Sequence, residues 1–187
     1  LQVPKPKLIQ TDSETILQGA QNAQIIFGRD RPSDIFSGYG GKGHHRCATI
    51  DLVSGRISAQ SRTTTIASDG TEELAHINPS FELDAARVYI CEKTDIDDNF
   101  NLVKHDEEEE WYPMPRSSGR SAVGIKADAV RIVGDEGVKI VTGVSKANSR
   151  DGKLPRAGIE LCALNTNEYP FDVQPFVKGK NMVSALD

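Results

Sequence analysis

The chain lacks any apolar run close to the roughly 20 residues that span a bilayer, so no membrane-spanning segment is expected. It is poor in cysteine. The three thiols, Cys47, Cys91 and Cys162, are far apart with no Cys-x-x-Cys pair, which excludes a disulfide scaffold. Each has an apolar neighbour (Ala48, Ile90, Leu161), so buried free thiols in a reducing compartment are expected. There is no excess of positive charge. Lys and Arg total 22 against 27 Asp and Glu, giving a net charge of −5, and a general nucleic-acid binder needs the opposite balance. Leu1 to Gln10 holds two prolines and two lysines without an apolar core, so no signal peptide is read there. No long amphipathic helix is evident. What remains is a chain of 187 residues, 37% hydrophobic, enough for one domain or one domain carrying arms.

The apolar residues that are present sit in short β-branched runs. Gln24 to Phe27, Cys47 to Val53 and Ala86 to Cys91 read as strands. Gly158 to Leu164 is a further candidate. Between them lie a long loop rich in glycine (Gly38, Gly40, Gly41, Gly43) and polar connections broken at Asn78-Pro79. Thr11 to Glu14 offers a cap for a short helix through Leu17, stopped by Gly19. The expected organisation is mainly β: a compact β-sandwich or barrel-like core with long loops. An N-terminal arm covers residues 1–23, the core 24–164, and an extended C-terminal tail 165–187. Within the core, residues 104–120 form an acidic, Pro-containing linker.

Residues 121–144 carry a repeat. Val130 and Val138 are eight apart, as are Ile132 and Ile140, and Val133 and Val141. A unit this short cannot close its own core; it must stack on neighbours or wrap with other chains. The alternative is an ordinary hairpin turning at Gly134-Asp135-Glu136-Gly137.

Chemistry is sparse. His44, His45 and Cys47 come nearest to a metal site, but adjacent side chains on extended backbone point to opposite faces, and zinc needs three or four convergent ligands. The glycine-rich loop lacks the Gly-x-x-x-x-Gly-Lys-Ser/Thr spacing of a phosphate cradle. Asp95, Asp97 and Asp98 lack the Ca²⁺-loop pattern and read as a solvated turn. The run Glu107 to Glu110 reads as a solvated loop or as a partner for a basic patch such as Arg116 and Arg120. No catalytic residue, metal or cofactor is expected.

The segment Lys126 to Gly134 and Gly137 to Gly143 resembles the short β repeats of tailed-bacteriophage virion proteins, such as trimeric spike stems and baseplate parts. The stretch Gly28 to Arg31, the glycine-rich loop and Ala86 to Ile90 also look like phage structural proteins. The resemblance covers about half the chain, with only three repeat units where spike stems have many. It implies a non-enzymatic virion protein, assembled in the host bacterial cytoplasm and associating with itself as a homotrimer and with other virion proteins, the major capsid protein foremost. It implies no nucleic-acid or membrane partner. Capsid decoration or cementing is the leading expectation, and a tail or baseplate component the alternative. Tyr169, Phe171 and Phe176 are the expected apolar anchors, Arg29, Arg31 and Arg46 the charged contacts, and Val130, Ile132, Val138 and Ile140 the inter-chain β positions. Readings from other classes are a metal-dependent hydrolase using His44, His45 and Asp34, and a glycan-binding module around Trp111 and Tyr112.

Overall fold

A computed structural model describes residues 6–40, 47–58, 64–102, 117–149, 152, 158–161 and 165. In chain order the elements are β1 (Lys7–Leu8), β2 (Thr15–Gln18), β3 (Ala23–Gly28), β4 (Thr49–Ser54), β5 (Thr64–Ile66), β6 (Glu72–Leu74), β7 (His76–Ile77), β8 (Ala86–Thr94), a one-turn helix α1 (Ile96–Asn99) and β9 (Arg120–Lys126). The expectation of a mainly β chain holds: there are three sheets and long loops.

The main sheet has five strands in the order β2-β3-β4-β8-β9, antiparallel throughout. β3 and β4 pair along their whole length, from Ala23 with Ser54 to Gly28 with Thr49. The strands form where the sequence alternates β-branched and aromatic residues, as in Val88, Tyr89 and Ile90, because such side chains pack well on a pleated surface. Gly55 ends β4 with a φ of +78°, and a Cβ there would lie 2.9 Å from the Cβ of Ala85, so the turn requires glycine. Two small sheets complete the set: the β5–β6 hairpin and the parallel pair β1–β7.

One face of the main sheet is covered. Residues 78–85, the loop 29–40 and α1 lie on it, and a small cluster of Cys47, Phe81, Tyr89 and Cys91 forms there with Ile96 and Phe100 at its margin. Phe81 meets Tyr89 and Phe100 edge-on, at centroid separations of 4.9 and 4.8 Å, the favoured geometry for aromatic pairs. Lys126 clamps β9 to this layer by donating to the carbonyls of Phe81, Glu82 and Asp84 at 2.6 to 3.0 Å.

Four expectations change. The sheet does not close into a barrel: β2 and β9 are its two edges. No helix runs from Thr11 to Leu17; instead residues 15–18 pair with β3, so part of the expected arm belongs to the sheet. Tertiary pairing along β3 overrides the local capping signal. In the repeat region only residues 120–126 form a strand. The hairpin at Gly134 to Gly137 has a tight turn, with the Gly137 carbonyl packed against Gly134, but its flanks form no ladder. Residues 158–161 form no strand; 162–164 lie outside the described residues, as do 104–116 of the linker and, apart from Asn165, the tail.

Candidate assembly surface

Alternation in β2, β3, β4, β8 and β9 sends every second side chain to each face of the sheet. On the covered face those positions include Gln24, Asp51 and Arg87, all buried. Their charge is neutralised internally. Arg56 donates to Asp84 at 2.5 Å, to Gln24 at 3.1 Å and to Asp51 at 3.3 Å. Arg87 donates to Asp51 at 3.0 Å and to Asp84 at 2.8 Å, and its guanidinium lies 4.0 Å from the centre of the Phe81 ring. Burial raises the Asp51 carboxyl above its ordinary range although both arginines oppose this, and burial lowers the Arg87 guanidinium. A second knot joins Asp30 to Tyr89 (2.5 Å) and Thr94 (3.0 Å); burial first, then the Asp30 charge, pushes the Tyr89 hydroxyl far above its ordinary value.

The opposite face reverses the usual arrangement. The register aligns Leu17, Ile25, Leu52, Val88 and Ile125 in one row across all five strands, and Thr15, Phe27, Ile50, Ile90 and Val123 in the next. Ala23, Ser54 and Ala86 extend the surface. None of these side chains carries a charge, though Glu92 is exposed beyond Ile90 on the same side of β8; all the large ones but Val88 are exposed, Leu17 by 56%, Ile125 by 57% and Val123 by 63%. Five strands spaced about 4.8 Å apart, with about five residues each at about 3.3 Å, give a footprint of about 400 Å². That is the size of the largest apolar patch on a typical single chain, a patch that is often functional.

The surface continues along the chain. After β9, residues 127–144 run on without a strand and present Val130, Ile132, Val133, Val138, Ile140 and Val141 to solvent. A cleft of about 410 Å³ lies where this run leaves the sheet, lined by Leu52, Val88 and Ile125 on one side and Ala127, Ala129 and Val130 on the other.

No family model, curated protein or solved structure matches the chain. Val130, Ile132, Val138 and Ile140 are all exposed, as inter-chain positions require. Arg29 donates to the Ile35 carbonyl at 2.6 Å and stacks 4.1 Å above Tyr39. Arg31, expected as a contact to a partner, is buried instead: it donates to Glu14 at 2.8 and 3.0 Å, to Asn78 at 2.8 Å and to the Ile9 carbonyl at 2.7 Å. Arg46, Tyr169, Phe171 and Phe176 lie outside the described residues, as do His44, His45, Trp111 and Tyr112. Asp34 turns its carboxylate onto the Phe36 amide. Asp95 and Asp97 accept from the backbone of Gly119 and Ser117 at 2.7 and 2.6 Å, anchoring the entry to β9. Among the described residues no group of three His, Cys, Asp or Glu is placed to hold a metal, and no helix is long and apolar enough to cross a membrane.

The sheet face itself was missed from sequence. Its signal was present: Ile25, Phe27, Ile50, Leu52, Ile90, Val123 and Ile125 alternate with residues as polar as Gln24, Asp51 and Arg87. Alternation fixes two faces but not which of them is covered.

Proposed function

We propose that the chain is a non-enzymatic structural subunit of a tailed-bacteriophage particle, working as one copy of a homotrimeric β assembly. The observation that carries this reading is residues 127–144. They repeat every eight residues, expose every large apolar side chain of the repeat, and form no strand within the chain. A segment of this kind leaves its backbone and its apolar columns available to identical segments of other copies, and three strands winding together satisfy both. The likeness of this segment to phage β repeats supplies the context of a virion.

Of the places on a particle, the tail or baseplate fits this geometry best, because a strand leaving a sheet as an apolar run is suited to wrapping along an axis. Capsid decoration uses the same self-association together with the aromatic tail, and binding to isolated shells separates the two. The test is the mass of the purified full chain by light scattering, alone and with phage shells and tails. A trimer that persists on dilution and joins tails is expected. A chain that stays monomeric at all concentrations overturns the proposal, and a trimer that joins shells moves it to the head.

A further inference from the structure

We infer that the open, largely apolar face of the five-stranded sheet is a copy-to-copy interface, where three sheets turn Leu17, Ile25, Phe27, Leu52, Ile90 and Ile125 towards a common axis, with Glu92 at the margin of the face. The inference rests on the trimer reading above and deepens it by assigning a second, separate surface to the contact. Among the described residues the five-stranded sheet has one covered face; the sandwich-like second layer expected from its sequence is then completed by other copies.

Three observations select identical copies as the occupant. The face is continuous with the repeat: Val123 and Ile125 belong to β9, and the chain passes from β9 directly into the exposed columns of 127–144. If three repeat segments wind about one axis, three β9 strands converge there, and the faces they border converge with them. The footprint of about 400 Å² falls short of the roughly 800 Å² per partner typical of a stable interface. The adjoining run of 127–144 adds its own exposed apolar side chains to that footprint. Charge also fits. Each copy has a net charge of −5, so like copies repel least where the two uncharged rows meet, away from Glu92.

The test compares two full-length variants by light scattering and far-ultraviolet circular dichroism. Ile50 and Ile90 face each other directly across β4 and β8. The pair Ile50→Lys with Ile90→Glu therefore charges the interface while forming a cross-strand ion pair within one chain. Ile132→Lys with Ile140→Glu charges the repeat alone. The expected result is that the first variant keeps its β signal but falls to one third of the wild-type mass, with association weakened at least 100-fold. If it keeps the wild-type mass, the sheet face is not the interface, whatever the repeat does. If the face variant dissociates while the repeat variant stays trimeric, the face stands and the wound repeat falls. A wild-type monomer removes both. Should the charged pair unfold the chain, Ile50→Thr with Ile90→Thr preserves strand propensity; about tenfold weaker association is then expected, and unchanged association overturns the inference.

Discussion

Arg56 donates to Asp84 at 2.5 Å, with both side chains wholly removed from solvent. The contact joins the turn after β4 to the segment before β8. Asp84 also accepts from the backbone amides of Ile57 and Ser80 and from Arg87, so one carboxylate gathers three parts of the chain. The pair holds the covered face of the sheet where a larger domain would place aliphatic side chains.

Removing one partner strands the other charge in a dry site. Arg56→Ala or Asp84→Ala is expected to destabilise the fold by about 3–5 kcal/mol, measured by urea unfolding. A loss below about 1 kcal/mol, the level of a surface pair, would mean the network is hydrated in solution.

Glu14 is expected to make stability depend on acid. Burial alone would raise its carboxyl, but hydrogen bonds from Arg31 and the Thr11 amide, with the Arg31 charge, hold it below its ordinary value of 4.5. The folded state therefore favours the ionised form. Its contribution is complete above the ordinary value and disappears as pH falls through the lowered one. Glu14→Gln should cost about 1–2 kcal/mol at pH 7, and the gap from wild type should narrow below about pH 4. A gap that does not change between pH 7 and pH 3 would contradict this assignment.

Gly124 lies beneath the Phe100 ring, and a Cβ there would collide with that ring and approach Ile96 to 3.1 Å. Gly124→Ala is expected to lower stability by about 1–3 kcal/mol, seen as a drop in melting temperature. Adding Phe100→Leu should recover part of it. Undiminished stability in the single variant would show that α1 does not press on β9.

The thiols give a chemical test. Cys47 and Cys91 are buried; burial, the largest influence, raises both and pushes Cys91 up to about 12. In a Cys162→Ser background the native chain should resist a thiol reagent at pH 8, and denaturation should release two reactive equivalents. Rapid labelling of the native chain would place one of the two at the surface.

Much of the sheet was legible in the sequence because its strands are β-branched and bounded by turn residues. Gln24 to Phe27, Cys47 to Val53 and Ala86 to Cys91 lie in β3, β4 and β8 to within a few residues. The polar segments were harder. β5, β6 and β7 lie in a stretch read only as polar, because Thr64–Ile66 and Glu72–Leu74 are exposed on both sides and their alternation has no buried partner. The capping pattern at Thr11 to Glu14 suggests a short helix through Leu17 because it is local, whereas the pairing of Thr15–Gln18 with β3 is set by the turn at Gly19 to Asn22. Arg31 was read as a surface charge because nothing local reveals Glu14, seventeen residues away in sequence, waiting in a dry site. The repeat at 121–144 was visible as a pattern, and its lack of an internal ladder shows why a period is informative without fixing the partner.

The two faces of the sheet also answer differently to temperature. The covered face adds ion pairs and hydrogen bonds to its small apolar cluster, and cooling leaves those polar contacts in place; the open face offers mainly apolar surface, and that attraction weakens in the cold. An assembly joined through Leu52, Ile90 and Ile125 would come apart near freezing into intact subunits and re-form on warming. Acid would act from the other side, weakening each subunit where Glu14 meets Arg31.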